Sequence, residues 1–171
     1  MARAKAQQPF ASDPAGNNAL FRLFYRGWRP TRLGRWVNRI AGWLSATGLL
    51  PASQVAVEVR GRKSGRTRLN PAVIATVEGK QYLVAILGPE SQWVKNVEAA
   101  GGNVTIRRGR RRRVHIVLVP PDQRALVLQE YVRVASSGRQ HFPVRASDPL
   151  SKFAAIADRY PVYRVDPVPY E

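Results

Sequence analysis

The chain contains no cysteine. Disulfides, thiolate metal sites and cysteine nucleophiles are therefore excluded, and the composition fits a reducing cytoplasm. Histidine is nearly as scarce, with His115 and His141 the whole supply. They stand far apart in sequence, so neither a zinc site nor a catalytic triad is expected. Acid is also scarce: 11 acidic residues face 28 basic ones, for a formal net charge of +17. Such a surface attracts polyanions, whether nucleic acid, acidic lipid headgroups or a multiply charged cofactor. No apolar run approaches the ~18 residues a membrane span needs. The opening segment "MARAKAQQPFASDPAGNN" lacks the apolar stretch of a secretory signal.

What is present suits one domain with a core: 171 residues, 44% of them hydrophobic. Residues 1–18 read as a flexible arm, rich in Pro, Gly, Ser and Asn. Residues 19–50 read as an amphipathic helical segment and residues 51–171 as a β-barrel domain. In "RPTRLGRWVNRIAGWLSATGLLP", Leu33, Trp36, Val37, Ile40, Ala41 and Leu44 recur at helical spacing. Thr31 can cap the start and Gly48 can end the helix. Arg32, Arg35 and Arg39 lie off the stripe. One reading packs the stripe on the domain. The other lays the helix on a membrane surface, because Trp28, Trp36 and Trp43 accompany the arginines.

Alternation predicts a strand over Gln54–Arg60. A hairpin follows, with strands near Ala72–Val77 and Gln81–Leu87 around Glu78-Gly79. "SQWVKNVEAAGG" predicts a short helix, with Ser91 as N-cap, Gly101 just past the end, and Trp93, Val94, Val97 and Ala100 inward. A second hairpin turns near Arg108–Arg110. Ala125, Leu128, Tyr131, Val132 and Ala135 form the stripe of a further helix. Asp148 as cap and Pro149 at the first helical position announce another. "YPVYRVDPV" closes as a strand. The sum is an α+β domain in which antiparallel hairpins build a small barrel with inserted helices.

Two basic clusters stand out. "RGRKSGRTR" (residues 60–68) carries five cations, two glycines and no acid. It joins two strands, so it is no P-loop, which leads into a helix. Its spacing also fails the dinucleotide motif. Glycines nonetheless let backbone N–H groups approach an anion, and arginine forks bind phosphate or carboxylate in bidentate fashion. A solvated hairpin tip without ligand is the equal alternative. "RRGRRRR" (residues 107–113) has six arginines in seven positions and reads as a polyanion-attracting tip. No RNA-recognition aromatic signature or helix-turn-helix pattern accompanies it. A nucleic-acid-binding barrel of the OB type stays open.

Three stretches taken together are more specific than either cluster. They are Gly-Arg-Lys-Ser-Gly followed by Arg68 and Pro71, the strand end at Leu87-Gly88, and W-x-x-N-x-x-A at Trp93–Ala99. In this order they resemble the deazaflavin-dependent nitroreductase and quinone reductase family, split β-barrel oxidoreductases with a flavin-reductase-like roll. The firm part of the resemblance runs from about Val55 to Val119, with a weaker continuation to about Val165. It implies that the cofactor is the deazaflavin coenzyme F-420, with FMN as the alternative of the related split-barrel group. It implies that Arg62, Lys63, Ser64, Arg68 and Pro71 hold the phosphate and oligoglutamate tail. Leu87, Gly88, Trp93 and Asn96 would shape the ring and ribityl side. The implied reaction is hydride transfer to a quinone, nitroaromatic or activated alkene, with the cofactor supplying the difficult chemistry.

Such a reaction needs no protein nucleophile. Tyr131 is the candidate proton donor, with Tyr82 or water as substitutes and His141 and Tyr160 behind them. The stripe position of Tyr131 suits a core role equally. The family's nitroreductase branch often has Thr-Thr where this chain has Val59-Arg60, and Trp-Tyr where it has Trp93-Val94. Both departures point away from nitro-compound activity more than from cofactor binding. A carrier without turnover would use the same residues. The expected partner is a small lipophilic acceptor such as a quinone. The chain would be a monomer or homodimer, cytoplasmic or peripheral on the inner membrane face.

Overall fold

A computed structural model describes residues 25–26, 29–136 and 138–168. The predicted flexible arm, Trp28 and the side chains of Arg32, Leu33 and Arg35 lie outside the described residues. Six strands form a closed antiparallel barrel: β1 (Gln54–Arg60), β2 (Thr67–Val77), β3 (Lys80–Val84), β4 (Asn103–Arg108), β5 (Arg110–Leu118) and β6 (Val162–Pro167). Their order is β1-β2-β3-β6-β5-β4, and β4 closes on β1 with Val57 opposite Ile106. The hairpin pattern predicts a small α+β barrel and the family resemblance its split-barrel form, and the closed six-strand barrel agrees with both.

Two cores flank the sheet. Alternate residues of the strands fill the barrel, among them Val55, Val57, Leu83, Ile106, Val114 and Tyr163, and Val94 and Val97 of helix α2 (Gln92–Ala99) join them. Outside the barrel, helix α3 (Ala125–Val134) packs Leu128, Tyr131 and Val132 with Phe142, Phe153 and Tyr160. Val127 also faces this core. Arg124 sits buried just before α3, donating from Nε to the Val119 carbonyl (2.7 Å) and from Nη1 to that of Ala157 (2.9 Å). Burial lowers its pKa from the usual arginine range.

The first hairpin differs from the expected bounds at both outer ends. β2 starts at Thr67, because Thr67 and Arg68 pair with Arg60 and Val59 of β1. β3 ends at Val84, where the Ala85 N–H turns to the Pro161 carbonyl (2.8 Å). The turn between them lies as predicted, with positive φ at both Glu78 (50°) and Gly79 (74°), which matches the twist of the flanking strands. Pro71 lies opposite Ala56 of β1 and precedes the stretch of β2 that pairs with β3. A missing N–H is tolerated at such a one-sided position.

Helix α1 (Arg32–Thr47) has the expected ends. The Thr31 hydroxyl accepts the Gly34 N–H (3.1 Å), and Gly48 takes the left-handed conformation at φ 82°. Its orientation reverses the packed-stripe expectation. Gly34, Gly42, Ser45 and Ala46 are buried, whereas Trp36, Val37, Ile40, Trp43 and Leu44 are exposed. A Cβ on Gly42 would lie 3.2 Å from the Leu69 carbonyl. The helix therefore approaches β2 too closely for bulky side chains, and the small-residue face goes inward.

The last helix also starts differently. α4 spans Leu150–Ala154, and Pro149 is its N-cap, with extended ψ 152°. The Asp148 carboxylate instead accepts the Arg145 N–H (2.8 Å) and the Lys152 ammonium (3.0 Å). Ser91 occupies the cap position of α2 but makes no capping bond, and its Oγ is buried without a partner.

Candidate functional site

The segment between β1 and β2 closes on itself. The Gly61 N–H donates to the Arg66 carbonyl (2.9 Å) and the Gly65 N–H to the Gly61 carbonyl (2.8 Å). A Cβ on Gly61 would lie 3.0 Å from Ser64 Oγ and 3.1 Å from the Arg66 oxygen. This corner is thus compact because residue 61 has no side chain. Gly65 adopts φ 65°, and its carbonyl accepts from Arg60 Nε (3.2 Å).

Arg62 makes contacts that its neighbours do not. Its backbone N–H and its Nη1 both donate to Asn96 Oδ1, at 3.2 and 2.9 Å. Its Nη2 donates to Gln92 Oε1 (3.2 Å). Asn96 is buried on α2, so the loop is tied to the helix that lines the barrel interior. Gln92 was not among the expected residues. Nothing in sequence spacing links it to position 62.

Lys63, Arg66 and Arg68 are exposed, and none of them pairs with a carboxylate among the described residues. Three cations on one compact loop, with exposed Ser64 and Arg60 beside them, match a ligand that carries phosphate and carboxylates. Pro71 lies further along β2, opposite Ala56. Leu87 and Gly88 are half-buried in the turn before α2, and Gly88 has φ 74°. Trp93 is half-buried, with its ring 5.7 Å from that of Tyr163 inside the barrel. The structure thus joins the loop to Asn96 by direct bonds and sets Leu87, Gly88 and Trp93 around the start of the same helix.

The proton-donor candidates lie elsewhere. Tyr131 is buried in the helical core with its ring 5.7 Å from Phe142, and burial raises its pKa. The Tyr160 hydroxyl donates to the His141 carbonyl (2.8 Å) in the same core. Burial pushes Tyr160 up to about 12 and His141 down to about 4. Tyr82 is half-buried on β3 and packs against that core as well. An open depression of about 510 Å³ lined by Lys80, Gln81, Arg112 and Arg164 includes none of the expected cofactor residues.

The sequence profile of the F420H(2)-dependent quinone reductase family matches residues 34–150. The chain belongs to this family. It is an oxidoreductase, and its cofactor is coenzyme F-420. No curated protein matches the chain. Among solved structures, it is similar to one described as an F420-H2 dependent reductase, at 21% identity and TM-score 0.45, covering 67% of this chain and 95% of that one. It is also similar to a conserved hypothetical protein from Mycobacterium tuberculosis, at 14% identity and TM-score 0.44, covering 84% and 85%. The family assignment rests on the profile match. The family's cofactor suits the donor set of the loop, since Lys63, Arg66 and Arg68 are exposed with no carboxylate partner among the described residues.

Proposed function

We propose that this member of the F420H(2)-dependent quinone reductase family holds its coenzyme through the loop at residues 61–68 and reduces a lipophilic quinone. The observation that carries the site assignment is the closed loop with Lys63, Arg66 and Arg68 exposed and unpaired with acid among the described residues. When bound and reduced, the coenzyme supplies a hydride, so the acceptor gains two electrons and needs one further proton to become the quinol.

The chain's own work is positional. Lys63, Ser64 and Arg68 grip the anionic tail, while Arg62, held by Asn96 and Gln92, keeps the loop against α2. Leu87, Gly88 and Trp93 border the ring end. A fixed ring and a bordered acceptor pocket convert a bimolecular encounter into a positioned one. The proton comes from water in this reading, because Tyr131, Tyr160 and His141 lie in the helical core.

Quinone is preferred over nitroaromatic or activated-alkene acceptors. The family's description names it, and Val59-Arg60 and Val94 depart from the nitroreductase pattern. A lipophilic quinone dissolves in membranes, so a peripheral position at the bilayer suits this acceptor. The test is oxidation of the reduced coenzyme by a short-chain quinone, run beside a nitroimidazole and an enone. Fastest turnover with the quinone supports the reading. Turnover only with the nitro compound or the enone overturns the acceptor.

A further inference from the structure

The arginine cluster at residues 107–113 plays no part in the site above, and the fold divides it. Arg111 pairs with Glu58 on the outer face of the barrel (2.5 Å). Arg112 falls on the opposite face. It lies across from Ile106 in the register of β4 and β5, on the same row as the core residues Val114 and Ile116. Its Nη2 donates to Gln81 Oε1 on β3 (2.6 Å). Gln81 also belongs to an inner row, opposite Thr76 of β2 and the core residue Val165 of β6. At this end of the barrel the apolar rows therefore give way to Thr76, Gln81 and Arg112.

These three residues line the open depression of about 510 Å³, together with Lys80, Arg164 and Asp166. The volume suits a small molecule. The one carboxylate is engaged: Arg164 donates to both oxygens of Asp166, at 2.7 and 2.8 Å. That contact holds the Asp166 pKa below the ordinary carboxylate range. Lys80 and Arg112 make no ion pair among the described residues. Arg112 bonds only to a neutral amide, which orients its guanidinium and leaves its charge uncompensated. Val165 and Pro167 add an apolar strip to the same depression.

The depression is remote from the coenzyme loop. That loop precedes β2, whereas Thr76 and Gly79 lie at the far end of the strand. At the usual rise per residue, β2 separates the two by about 30 Å. A phosphate held at the loop does not reach Arg112.

We propose that this depression is a second anion site, which binds the phosphoryl group of a small organic phosphate. Lys80 and Arg112 take the phosphoryl oxygens, the arginine through its fork. A phosphate ester carries about 1.5 to 2 negative charges at neutral pH, which matches the two uncompensated cations. Val165 and Pro167 border the carbon part of the ligand. The site stands apart from the coenzyme and quinone readings and does not depend on either.

The test is titration of the full chain with AMP and, in parallel, with inorganic phosphate, followed by calorimetry and by backbone amide shifts. AMP is expected to shift the signals of Gly79, Lys80, Gln81 and Arg112 and to leave Gly61–Gly65 in place. Its dissociation constant is expected to rise about tenfold or more in Lys80→Gln and again in Arg112→Gln. Asp166→Asn removes the competing carboxylate and is expected to tighten AMP binding, a gain that a misfolded chain could not produce. Inorganic phosphate is expected to bind more weakly than AMP. Coenzyme binding is expected to be unchanged in all three variants. Failure of the wild type to bind coenzyme would remove the coenzyme reading and leave the AMP result standing. Absence of AMP binding, shifts confined to Gly61–Gly65, or an unchanged dissociation constant in both Lys80→Gln and Arg112→Gln would overturn the site. Equal affinity for AMP and inorganic phosphate would overturn the organic ligand. Tight binding of a DNA duplex through Lys80 and Arg112, without binding of AMP, would assign the cations to nucleic acid and overturn it as well.

Discussion

Arg62 places two N–H groups on one oxygen of Asn96, its backbone N–H at 3.2 Å and its guanidinium at 2.9 Å. The contact joins a surface loop to a buried side chain 34 residues away. It separates Arg62 from the other cations of the loop, because its N–H donors are used by the neutral amides of Asn96 and Gln92. The loop then presents Lys63, Arg66 and Arg68 outward from a fixed base.

Asn96→Ala is expected to weaken coenzyme binding by about 1–2 kcal/mol through loss of loop position. Arg62→Ala is expected to have a similar effect, and the double variant little more than either alone. A double-mutant cycle on titrated dissociation constants checks this. Additive losses would mean that Arg62 contacts the coenzyme directly and that Asn96 acts separately.

Lys63→Ala and Arg68→Ala remove charge from groups with no carboxylate partner among the described residues. Each is expected to cost about 1.5–3 kcal/mol of coenzyme affinity with the melting temperature unchanged. The wild-type affinity should also fall with added salt, as expected for exposed cations. Unchanged affinity in both variants would remove the loop from the binding site.

Arg124 is a stability residue. Its guanidinium satisfies the Val119 and Ala157 carbonyls, which no longer have this donor in Arg124→Met. Loss of two buried hydrogen bonds to a charged group is expected to cost about 3 kcal/mol or more. Thermal or denaturant unfolding measures it, and the affinity of the surviving folded protein for coenzyme should be unchanged.

His141 predicts an acid-side loss of stability. Burial holds its folded pKa down at about 4, below its ordinary unfolded value of about 6.5. Between these values the unfolded chain binds the additional proton. Stability is therefore full above about pH 6.5 and falls as the pH drops toward 4, by up to about 3 kcal/mol. His141→Gln should flatten the unfolding free energy across that window.

Legibility in the sequence followed local signals. Thr31 and Gly48 marked the ends of α1, because capping is chemistry within a few residues. The alternation of Val55, Val57 and Val59 marked β1 for the same reason. The direction of the α1 stripe was not legible from its period, since periodicity defines a face but not its neighbour. The signal was the opposite face of Gly34, Gly42, Ser45 and Ala46, which only small residues could occupy against β2. The early start of β2 was hidden because Thr67, Arg68 and Leu69 lack apolar alternation. At the site, the composition of the loop was readable, but the Arg62–Asn96 bond depends on tertiary contact and was not. Tyr131 had the helical spacing of a core residue, and it lies in the core.

The measurement that tests the account most directly is titration of the purified chain with coenzyme F-420 at physiological salt, followed by addition of a short-chain quinone to the reduced complex. The account predicts tight binding of the deazaflavin over FMN, binding weakened in Lys63→Ala and Arg68→Ala, and oxidation of the bound coenzyme by the quinone. Equal binding of coenzyme by wild type and both variants, or a reduced complex that stays reduced with quinone, would contradict it.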